Sequence, residues 1–599
     1  MSGRLGAFPV ENGVQFAVQA RDAEKVELCL FEQDHETCLP MERQGDIHTV
    51  TVPGIGSRQR YGFRAHGDWA PAQGRFFDPA KLLVDPYATL LDGAFRYDPG
   101  LSKYGRDTSA LVPKAVVAAS KLAPQPPPLF RPGGLIYELN VRGFSLRHPD
   151  VQQAQRGTIA ALAHPAIIAH FQKLRVSAIE LMPITAWIDE RHLPPLGLHN
   201  AWGYNPVVPM ALDPRLAPGG VDELRTTVAA LRQAGIGVIL DLVLNHTGES
   251  YIAGPILSLR GLDNRCYAQA PDGSLINDTG TGNTLNAADP AVQALILETL
   301  RHFTNCGVDG FRFDLATVLA RGPGFDPHAP IFAAIAGDPL LKDRILIAEP
   351  WDVGPGGYQL GKFPNHWLEW NDRYRDDVRR FWRGDPLTAG ALATRMLGSS
   401  DIFTGATTRS VNFIAAHDGF TLADLVSYKQ KHNDDNGEQN RDGQSENFSW
   451  NNGMEGPSQD ASVLEHRKTD LRALLSTLFV SRGTLMLCAG DEFGRTQGGN
   501  NNAYAQDNDI TWLDWAGRDT ELEDFVAGLA ALRAETLSGE AADFVKDAEW
   551  LDLSGKMMTV AKWEDESLDG FEVRIPLGSD SSLTIRVDRQ ERICVFKKI

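Results

Sequence analysis

Four apolar runs in this chain end in, or carry, side chains that can do chemistry. "DGFRFDLA" (Asp309–Ala316) reads as a buried strand, yet it holds Arg312 and Asp314. Side chains alternate faces along a strand, so these two charges point one way and Phe311 and Phe313 the other. "GVILDLVLNH" carries Asp241, Asn245 and His246, "RILIAEPWD" carries Glu349 and Trp351, and "VNFIAAHD" ends in His417 and Asp418. Singly, each has a plain reading. An Asp at a strand end usually caps the next helix, a Glu pairs with a base, and a His hydrogen-bonds in a pocket. The recurrence at four strand ends is what points to chemistry. Asp314, Glu349 and Asp418, with neutral histidines and no plausible nucleophilic Ser or Cys, suit cleavage of a glycosidic bond: one carboxylate attacks the anomeric carbon and one acid protonates the leaving oxygen. Arg312 on the same face favours the charged form of Asp314. Glu349, flanked by Ile347, Ala348 and Trp351, sits in a partly apolar setting that raises the pKa of an acid.

These residues need a scaffold that brings distant strand ends together. From Leu135, strand-like runs alternate with helix-like segments: "LIYELNV", "SAIELMPI", "GVILDLVLNH", "GFRFDLA", "RILIAEPWD", the weaker "HWLEWND", "VNFIAAHD" and "TLMLCAGDE". Asp289-Pro290 reads as N-cap and N1 of one helix, with Val292, Leu295, Ile296 and Phe303 on one face and Gly307 closing it. Eight strands with helices between them predict a (β/α)₈ TIM barrel, whose strand ends converge on one face; an open doubly wound sheet is the alternative. Before the barrel, "GVQFAVQA", "KVELCLFE" and "IHTVTVPG" predict an N-terminal β-sandwich over residues 1–122. The Pro-rich stretch at 123–134 reads as a stiff linker, the barrel spans 135–540, and "SLTIRVD" and "RICVFKK" place a small β domain at 541–599.

Composition narrows the partners. A formal net charge of -19 over 599 residues disfavours nucleic acid and acidic membranes and is compatible with a neutral sugar. The six cysteines are scattered and show neither a metal-site spacing nor a disulfide framework. With no apolar leader and no membrane-length apolar run, a cytoplasmic protein is expected. The Gly280–Thr284 run "GTGNT" lacks the Lys of a phosphate loop. The run "NDDNGEQNRDG" (Asn433–Gly443) reads as a solvated loop.

"DLVLNH", "GFRFDLA", "IAEPWD" and "FIAAHD" resemble the four conserved regions of the α-amylase superfamily. "AWGYNP", "NDTGTGNTLN", "SWNNGMEG" and "GDEFGRTQGGNNNAYAQDN" are similar to the bacterial glycogen debranching and isoamylase group. The resemblance implies a retaining hydrolase of α-1,6 branch linkages in glycogen or limit dextrin. Asp314 would be nucleophile, Glu349 acid and base, and Asp418 a stabiliser of the transition state. Tyr204, His246, Arg312 and His417 would surround the sugar on the non-reducing side, and Trp351 would shape the acceptor side. Asp241 and Asn245 would be structural supports. It implies no cofactor and no metal, and an N-terminal module like those that bind glycogen. An isoamylase acting on amylopectin, a 4-α-glucanotransferase and a non-catalytic glycogen-binding protein are the alternatives. Two departures from the group are Ala201, where an aromatic is usual, and Asn140, where a His is common.

Overall fold

The computed structural model describes residues 4–119, 126–537, 539–545, 547–577 and 581–598. The expected sandwich–linker boundary at 122, and Ala123–Gln125 of the linker, lie outside them. Eight parallel strands close a barrel: β1 (Leu135–Leu139), β2 (Ala178–Leu181), β3 (Gly237–Leu242), β4 (Gly310–Phe313), β5 (Ile345–Ala348), β6 (Leu368–Trp370), β7 (Ser410–Asn412) and β8 (Thr484–Cys488). β1 bonds to both β2 and β8, so the sheet has no edge and the open-sheet alternative falls away.

The alternation of side chains separates two cores. Ile136, Ala178, Ile239, Ile347, Leu368, Trp370, Val411 and Met486 fill the barrel interior, with Phe130 of the linker beside them. Phe311 and Phe313 face outward into the helix layer, where Phe313 meets Trp367 at 4.9 Å. Gly310 is required by a close approach, because a Cβ there would lie 2.1 Å from the Ile345 carbonyl oxygen. The helix Pro290–Thr304 starts as expected, with the Asp289 carboxylate accepting from the Ala291 N–H, and buries Val292, Leu295, Ile296 and Phe303.

The linker does not hang free. Asp309, the first residue of "DGFRFDLA", accepts from the backbone N–H groups of Leu129 and Phe130 at 2.6 and 2.8 Å. Arg232 and Arg344 donate to the carbonyls of Pro127 and Pro126. Consecutive prolines supply acceptors and no donors, and two arginines of the barrel floor use them.

The N-terminal module is two four-stranded antiparallel sheets around Val14, Phe16, Val18, Val26, Leu28, Tyr61 and Phe63. That core continues into Ile188, Val207, Val208, Ile256 and Leu257 beside the barrel. At the other end a four-stranded antiparallel sheet, Glu549–Leu551 to Ile593–Lys598, packs Phe571, Val573, Ile585 and Val587 into the barrel's helix layer. Among the described residues no helix is long and apolar enough to cross a membrane.

The stretch expected as a solvated loop is partly buried. Asn433, Asn436 and Asn501 are fully buried. Asn433 Nδ2 donates to Asn501 Oδ1, Asn500 Nδ2 to Asn436 Oδ1 and Asn501 Nδ2 to Asn447 Oδ1, each at 2.9 Å. A carboxamide both donates and accepts, so amides satisfy one another without water.

Candidate active site

The ends of β3, β4, β5 and β7 meet over the C-terminal mouth of the barrel. In register Asp241 stands beside Arg312, and Arg312 beside Ile347, so all three face inward, with Glu349 one step above Ile347. Arg312 is fully buried at the centre. Its Nη1 donates to both Asp241 oxygens at 3.0 Å and to Asp314 Oδ1 at 3.2 Å, and its Nη2 lies 3.1 Å from Glu349 Oε2. The Trp370 ring lies 4.3 Å from the guanidinium carbon, a cation–π floor. Burying a guanidinium is costly unless it is paired; three carboxyl groups surround this one.

Two neighbours aim the carboxylates. Asn245 Nδ2 donates to Asp314 Oδ2 and to its carbonyl oxygen, both at 2.7 Å. Leu315 takes a left-handed backbone (φ +42) and turns its N–H onto Glu349 Oε2 at 2.7 Å. That conformation costs a branched residue about 1 kcal/mol; the strain is stored where it orients an acid.

Electrostatics separates the carboxyls. Burial pushes Glu349 up to about 8, opposed by Arg312 and reinforced by the Asp314 charge. Burial also raises Asp241, to about 6, against the pull of Arg312. Burial lowers the pKa of His246, whose Nε2 donates to the Tyr204 carbonyl at 2.9 Å and whose Nδ1 faces Asn245 Oδ1. His417 shifts the other way. Burial pulls it down, but the Glu138 carboxylate 2.6 Å from Nδ1 more than compensates, and the net shift is upward. Glu138 is correspondingly lowered despite complete burial.

Tyr204, His246, Arg312, His417, Asp314 and Glu349 therefore form one contact network. The Tyr204 hydroxyl donates to Asp241, and its ring stacks on His417 at 4.9 Å and 20°. Trp351 is half-buried against the barrel-interior cluster. Asp418 is exposed and makes no hydrogen bond or ion pair with the described residues. Its loop is tied down next door, where the Gly419 N–H donates to the carbonyl of buried Asn501. The two departures from the group touch each other, Asn140 Nδ2 donating to the Ala201 carbonyl at 2.7 Å while Asn140 caps the following helix. A cavity of about 550 Å³ on the flank of the helices after β6 shares none of these residues.

Three residues of the mouth were not anticipated: Glu138, Glu180 and Trp370. The signal for the first two was the one that exposed Arg312, a charge inside an apolar strand ("LIYEL", "AIEL"). Glu180 is fully buried, and neither oxygen has a partner among the described residues. Burial, with Asp241 and Glu138 nearby, raises its pKa well above the ordinary value, so it is held protonated. A raised acid stabilises the fold fully below the unfolded value of about 4.3, and that stability is lost as pH rises, by about 1.4 kcal/mol per unit. Glu180→Gln carries no such dependence. Its stability relative to wild type should improve as pH rises from about 5 to about 8, read by urea unfolding at both; parallel pH curves would exclude a raised Glu180.

Residues 4–88 match the carbohydrate-binding module 48 (isoamylase N-terminal domain). A glycogen debranching enzyme of Serratia proteamaculans is 47% identical over 588 residues, 94% of this chain and 89% of its own. One from Yersinia enterocolitica is 45% identical, covering 95% of this chain and 90% of its own. The chain belongs to the glycogen debranching enzyme family. The fold of this family member is also that of two pullulanases. The Bacillus subtilis type I enzyme, solved with maltose, has a TM-score of 0.73 at 21% identity over 98% of this chain and 79% of its own. An Anoxybacillus enzyme, solved with maltotetraose, has 0.72 at 22% identity over 100% and 86%. The debranching-family assignment agrees with the superfamily resemblance of the four strand-end motifs, which all fall at the barrel mouth.

Proposed function

We propose that this chain is a glycogen debranching enzyme that hydrolyses α-1,6-glucosidic branch linkages in glycogen or limit dextrin with retention, through a covalent intermediate. The observation that carries the reading is the 47% identity to a glycogen debranching enzyme along 94% of the chain. The site geometry supports the mechanism. One guanidinium contacts both Asp314 and Glu349, which supports pairing them as the nucleophile and acid of a retaining enzyme.

Asp314, held by Arg312 and Asn245, attacks the anomeric carbon of the branch sugar and forms a β-linked glycosyl ester. Glu349, protonated because it is buried, gives its proton to the departing 6-oxygen. It then takes a proton from the water that opens the ester, which restores both groups. Asp418, exposed and unpaired, binds sugar hydroxyls and stabilises the oxocarbenium-like transition state. Tyr204, His246, Arg312 and His417 line the non-reducing side, and Trp351 the acceptor side. The module over residues 4–88 either binds the branched polysaccharide or serves as a scaffold for the barrel.

Asn245 acts through Asp314. Asn245→Ala should lower kcat on limit dextrin by about 10²-fold, the usual penalty for a misplaced reacting group, with KM little changed. Steady-state kinetics checks this; a raised KM at unchanged kcat would place Asn245 in sugar binding instead. The function is tested with glycogen, phosphorylase-trimmed limit dextrin and amylopectin, followed by chain-length analysis. Short linear maltooligosaccharides released mainly from the trimmed substrate are expected. Equal action on untrimmed amylopectin would favour an isoamylase, longer chains rebuilt from short ones a glucanotransferase, and cleavage of linear amylose alone would reject the α-1,6 assignment.

A further inference from the structure

The scattered cysteines of the sequence include a pair that the fold brings together. In the N-terminal module, Cys29 on the strand Lys25–Glu32 stands directly opposite Cys38 on the strand His35–Pro40. Their Sγ atoms are 2.9 Å apart and both are free thiols. Directly opposite residues in an antiparallel pair have Cα atoms about 4.5–5.5 Å apart, inside the range of about 4.4–6.8 Å that a disulfide spans. Closing the bond needs the sulfurs to approach by about 0.9 Å, to the usual S–S length of about 2.05 Å, and no change of strand register.

We propose that Cys29 and Cys38 are a thiol–disulfide modification site, which a small-molecule disulfide such as oxidised glutathione converts to an intramolecular disulfide. The entry point is Cys38. It is exposed and lies on the outer strand of its sheet, whereas Cys29 is buried. The Cys38 thiol donates to Glu36 Oε1 at 3.3 Å, so the Cys29 thiol is left to donate to Cys38. Glu36 completes a possible three-ligand metal cluster with the two sulfurs. Arg64 holds both of its oxygens, at 2.6 and 2.7 Å, so a metal ion would find two thiols and an occupied carboxylate. The pair is therefore better placed to join than to ligate.

The exchange proceeds in two displacements. The Cys38 thiolate attacks one sulfur of oxidised glutathione, forms the mixed disulfide and releases one glutathione thiolate. The Cys29 thiolate then attacks Cys38 Sγ, forms the internal bond and releases the second. The two protons lost by the cysteines go to the two glutathione thiolates, so two protein thiols are oxidised and one disulfide is reduced. Since the thiolate is the attacking species and burial pushes both thiols up, the reaction should accelerate with pH.

The test treats the full chain with oxidised glutathione at neutral and mildly alkaline pH, followed by alkylation, trypsin and mass spectrometry. One tryptic peptide, Val26–Arg43, holds both cysteines. The expected wild-type result is loss of two hydrogens from that peptide with no alkylation. It should form faster at the higher pH and reverse with dithiothreitol. Cys29→Ser should stop at a stable glutathione adduct on Cys38, and Cys38→Ser should give neither product. A wild-type peptide alkylated at both cysteines, or one retaining glutathione on Cys38 despite an intact Cys29, overturns the proposal.

Discussion

Asp314→Asn should leave a folded protein whose kcat on limit dextrin has fallen by about 10⁴-fold or more, as when a covalent catalyst is removed from a machinery that works as a unit. Structural damage would not account for the loss. Asn offers one oxygen where Arg312 and Asn245 both donate, and one unmet hydrogen bond costs about 1–3 kcal/mol. Arg312 keeps Asp241 and Glu349 as partners, so the buried cation is not stranded. The variant has a second signature. The Asp314 charge is one cause of the raised Glu349 pKa, and its removal should lower that pKa. Kinetics, thermal unfolding and a titration of Glu349 separate the three effects; near-wild-type turnover would remove Asp314 from the reaction.

Glu349→Gln should show a different pattern. Turnover of branched glucan falls by about 10²–10⁴-fold, the usual contribution of a positioned acid–base group. A glycosyl fluoride, whose leaving group needs no proton, should lose far less in the first step. The pH profile gives the sign. Glu349 acts first as an acid, so wild-type kcat/KM should decline as pH rises through about 8, where burial has placed its pKa. In Glu349→Gln that alkaline limb should vanish. Retention of the limb would assign it to another group, for which the raised His417 is the nearest candidate.

Much of this site was legible in the chain because strands convert sequence spacing into a face. The alternation in "DGFRFDLA" alone separates Arg312 and Asp314 from the two phenylalanines, and the barrel core keeps that separation. What spacing cannot supply is the partner across the barrel. Nothing near His417 in the chain announces Glu138, 279 residues away, whose carboxylate raises the pKa of that histidine. The same anomaly also has a structural meaning, as in "LEW", where Glu369 points outward to pair with Arg409 while Leu368 and Trp370 fill the interior. The asparagine-rich segment misled for a related reason. Composition marks amides as polar, whereas in the fold they satisfy one another and are buried. The Cys29–Cys38 approach was hidden because a hairpin register, and not a motif, brings the sulfurs together.

The most direct measurement is mass spectrometry of the Glu349→Gln protein quenched during reaction with α-maltosyl fluoride. Ester formation needs no acid with this substrate, but its hydrolysis lacks the base, so the intermediate should accumulate. Trypsin isolates Asp314 in the peptide Phe313–Arg321. One maltosyl unit on Asp314, lost slowly to water, is the predicted result. A maltosyl unit on Asp418, or product released with no adduct on any carboxylate, would contradict a double displacement through Asp314.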